Sequence, residues 1–135
     1  MSHFTILKTR LVDADMLIRA LNDLGFSQVE IHRVPQGLYG YQGDLRPEKA
    51  EIIISRQFIS PSSNDIGFRM TSDGTFEAII SEFDLDIYSQ DWLNRLTQRY
   101  AYHVARSRLE AQGFDLVSEE THPDGQVHLV LRRAR

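Results

Sequence analysis

The side chains best suited to chemistry are concentrated in one stretch of the sequence, from Ser89 to Phe114, which holds its densest mixture of arginine, tyrosine and histidine. At helical spacing, one polar face carries a set that we call the Arg/Tyr ridge: Arg95, Arg99, Tyr102 and Arg106. His103 lies between this ridge and an apolar face. Guanidinium groups suit phosphates and carboxylates, and a tyrosine can stack or donate a hydrogen bond. The ridge is therefore a candidate binding site for an anion or an acidic partner.

The same arginines have a simpler interpretation, in which they pair with nearby acids and form a solvated helix face. Asp91 precedes Arg95 by four residues, the favourable orientation for an ion pair on a helix. Further acids, Glu82, Asp84 and Asp86, come shortly before the ridge. Because charged helix faces are common and most surface ion pairs contribute little, this second interpretation describes the more frequent situation.

A second candidate site is the segment from Gln36 to Glu48, which we expect to be a long loop because it is rich in glycine and contains a proline. Tyr39 and Tyr41 on this segment are the type of residue that anchors a partner or ligand. They can equally fold back over an exposed sheet edge. The segment lacks the spacing of a phosphate-binding loop, and it leads into a strand instead of a helix.

Catalytic and metal-binding patterns are absent from the sequence. The histidines show no paired ligand spacing, and no cysteine supplies a thiolate. No serine lies in a nucleophile elbow, and Glu119 and Glu120 would point to opposite sides of a strand. Three acids could hold a divalent cation, although pairing with arginine or water is the simpler expectation: Asp84, Asp86 and Asp91. We therefore expect no catalytic residue, no metal and no cofactor, and the sequence favours a binding protein over an enzyme.

Composition bounds the class of protein. The 135 residues fit one domain spanning 1–135, with the 41% apolar and 25% charged fractions of a globular chain. A net charge of −4 argues against broad electrostatic binding of nucleic acid. No apolar run is long enough to span a bilayer, and the chain has no cysteine for a disulfide. We expect a cytoplasmic protein that does not bind membranes.

Two helices are predicted from their caps and apolar spacing. Asp13 caps the first, from about Ala14 to Leu24, whose apolar stripe comprises Leu17, Ala20, Leu21 and Leu24. Ser89 caps the second, which stops at Gly113. Its apolar face comprises Trp92, Leu93, Leu96, Tyr100, Val104 and Ala111. Both helices are expected on the same face of a sheet.

Two hairpins have a predictable register. A three-residue turn ending at Gly74 pairs Met70 with Phe76 and sets Arg69 opposite Glu77, which keeps the apolar side chains on one face. The same reasoning, applied to a turn at 123–125, sets the following pairs opposite each other: Val117 and Leu131, and Glu120 and His128.

Further strands are predicted at Phe4–Thr9, at Gln28–Val34 ending before Pro35, and at Ala50–Ser55. The pattern is an α+β fold with a mostly antiparallel sheet of about six to seven strands and two helices on one face. The segments LNDLGFSQV (21–29) and LEAQGFDLV (109–117) share Leu, Gly-Phe and Val at one spacing. This similarity hints at a duplicated strand–helix–strand–strand unit.

Several short segments, in this order and spacing, resemble a family of small conserved proteins of unknown function encoded in cyanobacteria, algal plastid genomes and some other bacteria. These segments are the MSHFT start, DLGF, YGYQG, DIGF, LTQRYAYH and the final EE and DG pairs. The resemblance spans nearly the whole chain and implies no established activity. It suggests a partner or adaptor role beside ATPases of the AAA type.

The function that the sequence favours is a non-enzymatic cytosolic binding or adaptor module. It would engage a protein partner, or a second copy of itself in a homodimer, through the Arg/Tyr ridge and the tyrosine-bearing loop. The alternative is a sensor or enzyme that binds a phosphate- or carboxylate-bearing metabolite between the long helix and the loop. In that case His103 would be a candidate proton-transfer group.

Overall fold

The computed structural model describes residues 3–133, and these form the predicted α+β fold with mostly antiparallel pairing. The elements in chain order are β1 (Phe4–Lys8), α1 (Ala14–Asp23), β2 (Glu30–Tyr39), β3 (Leu45–Ile54), β4 (Ile66–Met70), β5 (Phe76–Ser81), α2 (Gln90–Ala111), β6 (Phe114–Thr121) and β7 (Val127–Arg133). Single 3₁₀ turns at Arg56–Phe58 and Glu82–Asp86 follow β3 and β5.

The strands divide between two sheets. Five strands form an antiparallel sheet in the order β1-β5-β4-β3-β2, and β6 and β7 form a separate two-stranded hairpin. The element order therefore contains a strand–helix–strand–strand succession twice, but only the first succession contributes its hairpin to the main sheet.

Both helices bury their apolar stripes against one face of the main sheet. Asp13 caps α1 by accepting a hydrogen bond from the Met16 N–H at 3.1 Å, and Ser89 caps α2 through the Trp92 N–H at 3.4 Å. The helices are joined by Tyr100, whose hydroxyl accepts the Asp13 N–H at 2.9 Å. The shared core comprises Leu11, Leu17, Ala20, Leu21, Ile52, Ile54, Ile66, Phe68, Phe76, Ala78, Ile80, Trp92, Leu93, Leu96 and Tyr100. The continuous α2 is thus confirmed, and of its predicted apolar face only Ala111 is exposed.

The predicted register of the β4–β5 hairpin is confirmed. Met70 pairs with Phe76 and Arg69 pairs with Glu77, with their side chains joined by a 2.8 Å ion pair between Nη2 and Oε2. Gly74 has a φ of +86°, as the three-residue turn requires.

The register of the β6–β7 hairpin was half predicted. Glu120 pairs with His128 as expected, but Leu116 instead of Val117 lies opposite Leu131. A bulge between Leu116 and Ser118 takes up one residue, which leaves the Val117 side chain 55% exposed.

The prediction of a long loop at 36–48 was wrong, since most of this segment is an extension of β2 and β3 joined by a short turn. Strand β2 also continues through Pro35, where the prediction ended it. Pro35 lies on an edge strand, at a register shift between Ile31 and Gln36, so its missing N–H removes no regular ladder bond. The turn itself is closed by the Gly40 N–H to Asp44 O bond at 2.8 Å, and a second register shift lies between Gly37 and Tyr39.

The tip of the β2–β3 hairpin covers the face of the sheet opposite the helices. A second apolar cluster forms there from Leu38, Ala50, Ile53 and Ile79, with Phe4 packed against it. Gly67 of β4 permits this close approach, because a Cβ at that position would lie 2.8 Å from the Ala50 Cβ and 3.0 Å from Leu38 Cδ2. The main sheet is consequently covered on its second face around Gly67.

We expect Gly67→Ala to lower the free energy of unfolding by about 1–3 kcal/mol, because the added methyl group overpacks the Leu38–Ala50 contact. Urea denaturation measures the change. Gly37→Ala is the matched control: its new Cβ would meet mainly the side chain of Leu45, which is 65% exposed and can move. Equal destabilisation by the two substitutions would contradict the packing described here.

Candidate functional site

Part of the Arg/Tyr ridge is directed towards α1. Arg99 Nε lies 2.8 Å from Asp23 Oδ2, and His103 Nε2 lies 2.7 Å from the same oxygen. Burial opposes ionisation of Asp23, but the hydrogen bonds and positive charges of Arg99 and His103 outweigh it and lower the pKa of this carboxyl below 3.8. These residues therefore hold the two helices together.

Tyr102 is buried, with 7% of its surface exposed, instead of standing on an open ridge. Its hydroxyl donates to Glu119 Oε2 at 2.9 Å and accepts from Arg106 Nη1 at 2.8 Å. The guanidinium carbon of Arg99 lies 4.4 Å from the centre of the Tyr102 ring. Tyr102 thus ties the β6–β7 hairpin to α2.

The remaining ridge arginines differ in their surroundings. Arg106 Nε also donates to Glu110 Oε1 at 2.8 Å, and the hydrogen bonds that Arg106 donates to Tyr102 and Glu110 raise its pKa. Arg95 is exposed, and within residues 3–133 it forms neither the expected pair with Asp91 nor any other ion pair or hydrogen bond. The acids that bond to the ridge come from α1, the end of α2 and β6, and not from the segment before the ridge.

A polar cleft of about 460 Å³ lies between the two helices, and its walls are Arg19, His103, Arg106, Ser107 and Glu110. Arg19 is exposed on α1 and forms no hydrogen bond or ion pair with the rest of the described chain. Arg19 could not be identified from the sequence, because its position relative to Arg106 depends on how the two helices pack. We call this cleft the α1–α2 cleft.

The hairpin tip is the second candidate site, and buried side chains fix its backbone. Asp65 Oδ2 accepts the Tyr39 N–H at 2.8 Å, and Asn64 Oδ1 accepts the Tyr41 N–H at 2.8 Å. Asp65 Oδ1 accepts the Arg56 N–H at 2.8 Å. Asn64 and Asp65 are 0% and 3% exposed, respectively.

The acidic segment before α2 takes part in the same network. Asp84, a candidate cation ligand by sequence, is buried, and its Oδ2 accepts both the backbone N–H and the side-chain Nδ2 of Asn64, at 3.1 and 3.2 Å. Arg56 Nη2 donates to the carbonyls of Tyr41 and Pro61, both at 2.6 Å. Burial raises the pKa of Asp65 above 3.8, against the opposing effect of its backbone hydrogen bonds.

While its backbone is fixed, the tip keeps its rings exposed: Tyr39 is 47% and Tyr41 39% accessible. Tyr41 lines a largely apolar cleft of about 430 Å³, together with His3, Ser62, Asn64, Ser81, Glu82 and Phe83. Phe83, which the sequence analysis missed, is 65% exposed on the 3₁₀ turn after β5. We call Tyr39, Tyr41 and Phe83 the aromatic tip.

The two candidate sites lie apart. The hairpin tip packs on the sheet face opposite the helices, so the structure does not bring Tyr39 and Tyr41 together with the Arg/Tyr ridge. Among residues 3–133, no group of three His, Asp or Glu side chains is arranged to hold a metal ion. None of the helices in this part of the chain is long and apolar enough to cross a membrane.

Comparison with known proteins gives the family. The model of the family described as "Protein of unknown function (DUF1257)" matches residues 20–130. The chain belongs to this family. Relatives of the DUF1257 chain include the uncharacterized protein ycf35 of Guillardia theta, which is 33% identical over 141 residues, covering 100% of this chain and 99% of that protein. The ycf35 proteins of Pyropia yezoensis and Cyanophora paradoxa are each 29% identical, covering at least 98% of both chains. The resemblance noted from the sequence is confirmed, and no solved structure matches the chain.

We expect Asp23→Asn to lower the free energy of unfolding by about 1 kcal/mol at pH 7, because Arg99 and His103 lose their shared carboxylate. The folded-state pKa of Asp23 is below 3.8, so its stabilising effect is present above pH 3.8 and is lost as the pH falls through the folded value. Urea titrations from pH 7 to pH 3 should therefore show the two proteins converging at low pH. A difference in free energy of unfolding that stays constant over this range would argue against the pairing. So would an equal effect of Asp115→Asn, which changes an exposed, unpaired aspartate of the described chain.

Proposed function

We propose that this chain is a non-enzymatic protein-binding module, acting in the cytosol, whose principal contact surface is the aromatic tip. The observation that carries the proposal is that Tyr39 and Tyr41 are exposed while their backbone N–H groups are held by the buried Asp65 and Asn64. Aromatic side chains dominate interface hot spots, and a rigid backbone lowers the entropic cost of binding.

The cleft beside Tyr41 and Phe83 has the size and character of an anchor pocket. Its volume of about 430 Å³ lies within the range typical of ligand pockets, and its lining is largely apolar with a few polar groups at the rim. The His3–Glu82 pair, 3.7 Å apart, supplies such a rim. A large apolar side chain of a partner protein would fit this environment.

The Arg/Tyr ridge has a different place in the proposal. Arg99 and Tyr102 are engaged with α1 and the β6–β7 hairpin, so they support the fold more than they offer contacts. The aromatic tip is therefore the more direct candidate for the partner. An ATPase of the AAA type, which the family resemblance suggested, is the first heterologous partner to test, and a second copy of the chain is the other.

The test is a quantitative pull-down from a cyanobacterial or algal lysate with purified wild type and with Tyr41→Ala/Phe83→Ala. We expect the double variant to lose specific partners by about tenfold or more, since truncating hot-spot aromatics typically costs about 2 kcal/mol or more. Light scattering over a range of concentrations tests self-association in the same two proteins.

The matched control is Val117→Ala/Val130→Ala, which truncates side chains that are 55% and 53% exposed on the separate β6–β7 hairpin. This variant should recover partners as the wild type does, at similar thermal stability. Equal recovery by all three proteins would refute a role for the aromatic tip, as would a loss common to both variants.

A further inference from the structure

We propose that the α1–α2 cleft binds the phosphate group of a small phosphorylated molecule. This inference is independent of the protein-binding function, because the cleft shares no residue with the aromatic tip and lies on the helix side of the sheet. It also differs in place from the anion site expected by sequence, which lay between the long helix and the loop.

The α1–α2 cleft contains several hydrogen-bond donors that have no acceptor within the described chain. Arg19 has its whole guanidinium group available, since it forms no bond with the rest of residues 3–133. Arg106 uses Nε for Glu110 and Nη1 for Tyr102, which leaves Nη2 to donate. The hydroxyl of Ser107, without a partner in the described chain, opens into the same cleft.

Arg106 is held in place before any ligand binds. Tyr102, which receives one of its N–H groups, is itself buried and fixed by Glu119. His103 is likewise fixed by Asp23. A guanidinium with a preset orientation loses little entropy on binding an oxyanion, whereas a free surface arginine loses more.

The charges that line the α1–α2 cleft are positive in sum. The lining contains two arginines against the single carboxylate of Glu110, in a protein whose formal net charge is −4. The Arg99–Asp23 pair beside it is neutral in sum. The cleft is therefore a locally positive site on an acidic chain, which favours and orients a small anion.

The geometry favours phosphate over a carboxylate. A planar carboxylate is satisfied by one bidentate guanidinium, whereas a phosphate presents several oxygens in different directions. Arg19 comes from α1, and Arg106 and Ser107 from adjoining positions of α2, so donors reach the cleft from both walls. No Phe, Tyr or Trp side chain lines it, and the imidazole of His103 is already bonded to Asp23, so the recognised part is the phosphate and not an attached ring.

The test is isothermal titration of the full chain with inorganic pyrophosphate, at fixed ionic strength. Arg19→Gln should weaken binding about tenfold, as the loss of a charge-assisted hydrogen bond predicts. Glu110→Gln should strengthen it, because a competing carboxylate next to Arg106 is removed. Opposite effects of the two variants cannot arise from a general loss of folding.

Arg95→Gln/Arg108→Gln is the matched control, since it removes two exposed arginines of α2 outside the cleft and should leave binding unchanged. Two further ligands are titrated into the same protein. Citrate tests whether the cleft prefers carboxylates, and a phosphoserine peptide tests whether the phosphate is carried by a protein. Absence of pyrophosphate binding, equal weakening by the control, or binding restricted to citrate or to the phosphopeptide would each overturn the proposal.

Discussion

On the face of the sheet opposite the helices, the arrangement of the chain depends on one buried carboxylate. Asp65, 3% exposed, accepts the N–H groups of Tyr39 and Arg56, and so joins the hairpin tip, the end of β3 and the start of β4 at one point. A buried charge is costly unless it is hydrogen-bonded, and removing it would leave buried N–H groups without acceptors. The neighbouring Asn64 repeats this arrangement at Tyr41, and Asp84 fixes Asn64 in turn.

The two candidate sites lie on opposite sides of the main sheet. On one side, the fixed hairpin tip seals a small apolar cluster over Gly67 and presents exposed aromatic rings. On the other, ion pairs centred on Asp23 set the packing of α1 against α2 and shape a basic cleft. Each side uses inflexible polar contacts to position groups that remain accessible, which is the general requirement of a binding site.

The features predictable from the sequence were those set by local chemistry. The caps at Asp13 and Ser89 and the turn at Gly74 have near-neighbour causes, and each was confirmed. The outer strands of the β2–β3 hairpin were predicted, but their extensions within 36–48 were missed because Gly and Pro normally indicate a loop, whereas Pro35 lies at an edge-strand irregularity. The family resemblance pointed to YGYQG and DIGF separately, but their contact through Asp65 is a property of the fold.

The candidate site was less predictable, because its pairings span the chain. The helix rule for charges four residues apart predicted that Asp91 would pair with Arg95, and this pair does not form. The ion pair of Arg99 is with Asp23, which is 76 positions away. The sequence places Tyr102 on the polar face of α2, but the β6–β7 hairpin covers it in the fold. Arg19 carried no signal of its own. Long-range partners of this type depend on helix packing, which no local pattern encodes.

Amide hydrogen exchange at Tyr39 and Tyr41 measures whether buried acceptors hold the backbone of the hairpin tip, with the Gln42 amide of the same turn as the internal reference. Gln42 N–H forms no hydrogen bond within the described chain, whereas the two tyrosine amides are bonded to buried acceptors. We expect both tyrosine amides to exchange much more slowly than Gln42, and Asp65→Ala to speed exchange at Tyr39. Exchange at Tyr39 and Tyr41 as fast as at Gln42 in the wild type would contradict this expectation.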